Sequence, residues 1–258
     1  MRTARNLAVA AGLLLLPAFV EGRDIQVAST WAPVPAKVDG TADTWAALLR
    51  PLGDPPMVIG VQNDADFLYL CLKTSNLKLK KQLAATGLTV WTNGTGKAST
   101  SKGFGVRYPL SEQREGGKPT PTPAEETSAP GVVQPPPEFE LIGPTIENRR
   151  RVELADDEPV VAALGDDSGV LVLQLRLPLK SSAVHPLAVG ALPGTAIALQ
   201  MVTEAPKVSE GKRWRDRGGR PDTNENQGMP QDFPDMPSPF SLWLQVTLAA
   251  PPAPPAAK

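Results

Sequence analysis

A β-hairpin is predicted by residues 57–72, which read MVIGVQNDADFLYLCL. Two apolar runs, Met57–Val61 and Phe67–Leu72, flank the cluster Asn63–Asp66. Asn and Asp favour turns because their side chains bond their own backbone. Both faces of the second run are apolar, which predicts a central strand covered on both sides. Cys71, within that run, is expected to be a small buried residue rather than a reactive thiol.

Five further segments alternate between apolar and polar residues. They are 88–91, 104–108, 170–177, 196–202 and 240–248. Alternation is typical of strands with one buried face. Their spacing predicts an all-β fold, an antiparallel β-sandwich of jelly-roll or immunoglobulin-like type with long Pro-rich loop insertions. Helical signals are confined to Thr41–Leu49 and Leu77–Ala85, each of which predicts a short helix.

The composition limits the chemistry that the chain can carry out. Its 258 residues include 29 Pro and 22 Gly, which disfavour helix interiors, but one Cys and one His. One Cys excludes an intrachain disulfide, and one His cannot build a His-rich metal cage. The formal net charge of −1 gives no electrostatic reason to expect binding to nucleic acid.

Residues 1–22 have the layout of a secretory signal peptide. Arg2 and Arg5 form a basic head, an uncharged run from Leu7 to Val20 follows, and a cleavage point is predicted after Gly22. The uncharged run is shorter than the roughly 20 residues that span a bilayer. We therefore expect an exported protein, periplasmic or extracellular, with no membrane span after cleavage. The alternative is an N-terminal anchor that is never cut.

The mature chain is predicted to form a single β-sandwich domain over residues 23–248. Inside it, residues 111–137 are predicted to be a flexible Pro-rich insertion and residues 205–239 a long irregular loop. The Pro-rich insertion has almost no apolar surface with which to offset the entropy of ordering. Residues 249–258 are predicted to be a disordered tail of Pro and Ala.

Four motifs follow one another in the order of a known family. They are Val38–Trp45 with its Asp-Gly and Trp, Val61–Leu70 with its Asp-containing turn, Leu173–Leu179, and the glycine-led Gly194–Gln200. Together they resemble family 9 carbohydrate-binding modules and their DOMON-like relatives. The resemblance covers roughly residues 35–110 and 165–248, although Gln174 stands where the family commonly has Glu.

This resemblance implies a β-sandwich and, less directly, sugar binding, since characterised sugar-binding members clasp a terminal sugar between two tryptophans. The Asp39-Gly40 pair also permits a tight turn with positive φ at the glycine. Trp45 is then expected to plug one end of the sandwich, as part of the core.

A polar face that carries tryptophans is the candidate ligand site. Alternation within 240–248 and 88–91 places Trp243 and Trp91 opposite the apolar residues. Sugar C–H surfaces stack on an indole, while amide and guanidinium groups bind hydroxyls. The candidate ligand-binding residues are Trp91, Trp243, Arg107, Gln174, Arg176, Gln200 and Gln245. The alternative is that a loop, either 111–137 or 205–239, covers both rings.

Cofactors have weaker support in the sequence, and we expect none. Asp64 and Asp66 offer oxygen ligands for a structural calcium ion, but two acids in a turn more often simply make the turn. Some DOMON-like relatives bind haem through Met paired with His or Lys, so His185 with Met57 or Met201 is a conceivable haem site. A lone histidine before a proline is far more often a surface residue.

No catalytic motif is present in the sequence, which lacks a Gly-x-Ser-x-Gly elbow, a metalloprotease helix and a phosphate loop. The basic cluster at 212–220 stands among acids, which is typical of a solvated loop. We expect a non-catalytic, exported binding module for carbohydrate. The alternatives are a cell-envelope module whose Pro-rich segments engage another protein and, third, a haem-binding electron carrier.

Overall fold

The computed structural model describes residues 25–110, 138–154, 158–183, 185–205 and 239–253. The predicted signal peptide, the Pro-rich insertion 111–137 and nearly all of the predicted loop 205–239, with its basic cluster, lie outside the described residues. Within these ranges, no helix has the length and apolar character needed to cross a membrane.

The described residues form two β-sheets. The strands are β1 (Ile25–Ala28), β2 (Thr30–Trp31), β3 (Arg50–Pro51), β4 (Val58–Asn63), β5 (Phe67–Thr74), β6 (Leu88–Asn93), β7 (Phe104–Tyr108), β8 (Glu138–Ile142), β9 (Arg149–Glu153), β10 (Val161–Asp167), β11 (Val170–Pro178), β12 (Ala196–Val202) and β13 (Ser241–Thr247). A 3₁₀ turn (Asp43–Trp45) lies within the first predicted helical segment, and helix α1 (Leu77–Thr86) covers the second and ends one residue later.

The seven-stranded sheet has the order β1-β13-β12-β6-β7-β8-β9. The six-stranded sheet has the order β10-β11-β5-β4-β2, with β3 also paired to β4. Most neighbours are antiparallel, so the predicted all-β sandwich is confirmed. The two exceptions are the parallel pairs β1–β13 and β2–β4. The segment 25–31 thus begins in one sheet and ends in the other.

The crossing between the sheets is held by Asn63, a fully buried residue at the end of β4. Its Oδ1 accepts hydrogen bonds from the Ser29 hydroxyl and from the Ala249 N–H (2.7 Å). Its Nδ2 donates to the Ala249 carbonyl at 3.0 Å. Ala249, the first residue of the predicted disordered tail, is therefore fixed to the sandwich by its backbone.

The main core lies between the inner faces of the two sheets. Alternate residues of each strand enter it, such as Leu68, Leu70 and Leu72 of β5. Helix α1 packs against the same core through Leu79 and Leu83. Removal of these apolar side chains from water is the dominant stabilising contribution in such a layer structure.

A second apolar cluster covers the outer face of the six-stranded sheet. Here Trp45, fully buried, packs with Tyr69 and Cys71 of β5. A Cβ at Gly60 would lie 2.9 Å from the Trp45 ring, so the indole sits directly on β4. The prediction that β5 is covered on both sides is confirmed, and so is the core role of Trp45. Its position differs: Trp45 lies on the outer face of a sheet rather than at one end of the sandwich.

Candidate ligand-binding surfaces

Trp91, Gln200 and Trp243 form a row on the outer face of the seven-stranded sheet. Gln200 of β12 pairs with Trp91 of β6 on one side and with Trp243 of β13 on the other. Trp91 pairs in turn with Gly105 of β7. Neighbouring strands lie about 4.8 Å apart, so roughly 10 Å separates the Cα atoms of the two tryptophans. The sheet order therefore brings together two aromatic residues that are 152 positions apart in the sequence.

The two indoles differ in exposure. Trp91 is only 6% exposed, whereas Trp243 is half-buried. Gln200 and Gln245 beside Trp243 are half-buried as well, and the Gln200 Nε2 donates to the Ser241 hydroxyl at 2.9 Å. Trp243 is therefore the indole with a surface that a ligand can reach. The two loops that the alternative interpretation offers as a cover for both rings lie, except for residues 205 and 239, outside the described residues.

Arg107 lies on the same outer face but is held by the protein itself. Its Nε and Nη2 donate to the Thr86 carbonyl at 2.9 and 2.7 Å, at the end of α1. Its Nη1 lies 3.9 Å from a Glu140 oxygen and 3.7 Å from a Glu204 oxygen. These contacts connect β7 to the end of α1, to Glu140 on β8 and to Glu204. Arg107 therefore has a structural role.

Gln174 and Arg176 lie on the other sheet, because β11 pairs with β10 and β5. The single ligand face expected from the sequence is therefore divided between the two sheets. The fully buried Gln174 Oε1 accepts from the N–H groups of Asp39 and Gly40, both at 2.9 Å. The Gln174 Nε2 donates to the Thr41 carbonyl. All the polar atoms of this amide serve to hold the Asp39-Gly40 turn against the sheet.

Arg176 is fixed in place by three contacts. Its Nη2 donates to the Glu158 carbonyl at 2.7 Å and its Nε to the Pro159 carbonyl at 3.3 Å. Its guanidinium carbon lies 4.9 Å from the centre of the Phe67 ring, a cation–π arrangement. A guanidinium held in this way is pre-organised, so little side-chain freedom is lost when it binds a further group.

A cleft of about 330 Å³ adjoins Arg176. It is lined by residues 35–38, Leu154, Val161, Ala162 and Arg176. The Lys37 side chain, 82% exposed, lies on the same wall. Sequence reasoning missed Lys37, Leu154 and Val161, because three separate segments meet here and no local pattern marks their meeting.

The two acids proposed for calcium are engaged in the β4–β5 turn. The Asp64 Oδ1 accepts from the N–H groups of Asp66 and Phe67 at 2.8 and 2.7 Å, and its Oδ2 accepts from the Tyr69 hydroxyl at 2.6 Å. The Asp66 carboxylate pairs with Lys180 at 3.1 Å. In the ranges that the structure covers, no group of three or more His, Cys, Asp or Glu side chains is placed to hold a metal ion.

The three residues considered for haem occupy different surroundings. Met57 and Met201 lie in the main core, and the cavity beside Met57 is about 10 Å³, roughly the space of one water molecule. His185 is half-buried, with its Nδ1 3.8 Å from a Glu158 oxygen. A group as large as haem does not fit in the cavity beside Met57.

No protein-family model matches the chain, and no curated protein matches it. Two solved structures of a family 9 carbohydrate-binding module from Caldicellulosiruptor kristjanssonii are similar to it. The complex with cellotriose is 10% identical, with 69% of this chain and 75% of that chain covered and a TM-score of 0.33. The complex with glucose is 9% identical, with 69% and 77% covered and a TM-score of 0.33. The fold assignment itself rests on the two sheets described above.

Proposed function

We propose that this protein is an exported, non-catalytic binding module for carbohydrate. The observation that supports it is the row of Trp91, Gln200 and Trp243 across three neighbouring strands. A sheet face with an aromatic ring beside amides offers a sugar both of the contacts it needs: stacking for its C–H surface and hydrogen bonds for its hydroxyls.

Within this row the residues have different roles. Trp243 is the stacking ring, because it is the less buried of the two indoles. Gln200, opposite it on β12, and Gln245, two residues further along β13 on the same face, supply the amide groups for sugar hydroxyls. Trp91 is buried and packs beneath the surface next to Gln200, without stacking on the sugar.

The outward residues of β12 and β13 around Trp243 are apolar or neutral. On β12 they are Ala196, Ala198, Gln200 and Val202, and on β13 they are Ser241, Gln245 and Thr247. Glycoside hydrolysis in most families requires a pair of carboxylic acids that flank the scissile bond. These positions on β12 and β13 carry no acid.

A glycan array that includes glucose and cellotriose tests this function. The wild-type chain is expected to be retained by at least one neutral glycan, and Trp243→Ala to weaken that binding about tenfold or more, through loss of the stacking area. Trp31→Ala is the matched control, since Trp31 is a half-buried tryptophan at the other sheet. Lack of binding to any glycan, or equal losses in the two variants, would contradict the proposal.

The envelope-interaction alternative depends on residues 111–137, which lie outside the described residues, and it stays a prediction. A pull-down from an envelope fraction with the full chain and with a variant that lacks 111–137 tests it.

A further inference from the structure

The cleft beside Arg176 lies where the chain passes from one sheet to the other. Leu154 follows β9, the last strand in the order of the seven-stranded sheet, and Val161 begins β10, the first in the order of the six-stranded sheet. Residues 35–38 also line the cleft. Its volume of about 330 Å³ falls within the range of small-molecule sites, which begins at roughly 300 Å³.

In the part of the chain that the structure describes, no carboxylate pairs with the positive charge that Arg176 brings to this cleft. Its two hydrogen bonds within the described residues go to backbone carbonyls, which are neutral acceptors. Among the residues that the structure describes, none places a carboxylate oxygen within 4 Å of the guanidinium, whereas the Lys37 ammonium, also at the cleft, lies 4.0 Å from an Asp39 oxygen. A charge held at the wall of a cleft without a counter-ion favours an anionic ligand.

Two acids of the described chain near the cleft, Glu158 and Asp39, already have partners, and the partners of Asp39 include Lys37 of the cleft itself. The Glu158 carboxylate lies 3.8 Å from the His185 imidazole. The Asp39 carboxylate accepts from the Thr41 N–H and hydroxyl at 3.0 and 2.8 Å, and these bonds hold the pKa of Asp39 below its usual value. Lys37, 4.0 Å from Asp39 and largely exposed, adds a second cation to the cleft wall.

We propose that this cleft binds a carboxylate-bearing sugar, a uronic acid. Arg176 and Lys37 hold the carboxylate, while Val38, Leu154 and Val161 contact the ring. The choice of a sugar rests on the proposed function. The choice of a carboxylate rests on the positive charges of Arg176 and Lys37 at the cleft. This site is on the opposite sheet from Trp243, so the module has two separate binding surfaces.

Titration calorimetry of the full chain with digalacturonic acid tests the proposal, and the dimethyl ester of the same disaccharide is the neutral control. The acid is expected to bind at least about tenfold more tightly than the ester at low salt, because charge-assisted hydrogen bonds are the stronger kind. That advantage should shrink as salt is added. Equal affinities for acid and ester, or no binding of either, would overturn the inference.

Arg176→Gln is expected to remove the preference for the acid. This change also removes the hydrogen bonds to the Glu158 and Pro159 carbonyls and could therefore disturb the fold. Two variants that leave these bonds in place are measured beside it. Lys37→Gln alters an exposed side chain and should weaken acid binding about threefold. Val161→Trp fills the cleft from an edge strand and should abolish binding. Lys78→Gln, at an exposed position of α1 that does not line the cleft, is the control that should bind as the wild type does.

The outcomes separate the two proposals. If neutral glycans bind through Trp243 and digalacturonic acid shows no dependence on Arg176, Lys37 or Val161, the proposed function stands and the cleft inference is wrong. If digalacturonic acid binds through these three residues and no neutral glycan binds, the cleft inference stands and the sheet-face site is wrong.

Discussion

The indole of Trp91 lies directly on Gly105, the residue opposite it on β7. A Cβ at position 105 would meet three indole carbons at 3.0 to 3.2 Å, so the ring has room there because residue 105 has no side chain. Gly105→Ala is therefore expected to lower the free energy of unfolding by about 1–3 kcal/mol, the usual cost of overpacking. Urea denaturation of the wild type and of Gly105→Ala measures this decrease.

The contact itself is tested by a double-mutant cycle. Trp91→Leu removes the ring that would overlap the new methyl group, so Gly105→Ala should cost much less in that background. If Gly105→Ala lowers the free energy of unfolding equally in both backgrounds, overlap with the Trp91 ring is not the cause of the destabilisation.

Gln174→Leu is expected to destabilise the protein by about 1–3 kcal/mol, because the Asp39 and Gly40 N–H groups and the Thr41 carbonyl would lose their partner. Gln200→Leu is the matched change on the other sheet, where the amide is half-buried and bonds a hydroxyl. Thermal unfolding of the two variants should rank Gln174→Leu as clearly the less stable. A reversed order would argue against a structural role for Gln174.

The two tyrosines of the chain should resist ionisation in the folded protein. Burial raises the pKa of both Tyr69 and Tyr108 above the ordinary value of about 10, and the Asp64 carboxylate raises that of Tyr69 further. A raised folded pKa means that the stabilisation is fully present below about pH 10 and is lost as the pH rises above it.

Ultraviolet absorbance of tyrosinate checks this expectation. The unfolded chain in urea should titrate near pH 10, and the folded chain only at higher pH, as it unfolds. Tyr69→Phe should reduce the loss of stability at high pH. Formation of tyrosinate in the folded protein near pH 10 would show that the phenols are not buried as described.

The single thiol, Cys71, should be unreactive until the protein unfolds. It is fully buried in the second apolar cluster, and burial raises its pKa to about 11. A thiol reagent at about pH 8 should label the urea-unfolded chain quickly and the native chain only at the rate of its opening. Ser75→Cys places a second thiol at an exposed position, which should react quickly in the native protein and provides the comparison for Cys71. Rapid labelling of native Cys71 would be inconsistent with the structure.

Strands with regular alternation could be predicted from the sequence, and strongly charged ones could not. The β4–β5 hairpin and α1 lie close to their predicted bounds. In contrast, β9 reads Arg-Arg-Arg-Val-Glu and is a strand because it pairs with β8, where Arg149 meets Glu140 at 3.3 Å. Such pairing depends on residues that are distant along the chain, which local propensity does not register.

For the candidate site, the sequence predicts the strand face that a residue occupies but not the sheet. Alternation shows which face of a strand a residue occupies but does not show to which sheet the strand belongs. Trp91 and Trp243 therefore lie on one face of one sheet, on either side of Gln200, while Gln174, whose strand is equally regular, serves a buried turn on the other sheet. The exposure of a residue also depends on what packs over it, which explains why Trp91 and Trp243 look alike in sequence and differ in burial.

The parallel pairing of β1 with β13 has a mechanical consequence. Ile25 lies opposite Leu244 and Ala28 opposite Thr247, so the chain enters at one end of this pair and leaves at the other. A force that pulls the two ends of the domain apart then acts along the strands, in shear, and must break the hydrogen bonds between them together rather than one after another. Tension applied at Ile25 and Thr247 therefore loads the β1–β13 pair in shear.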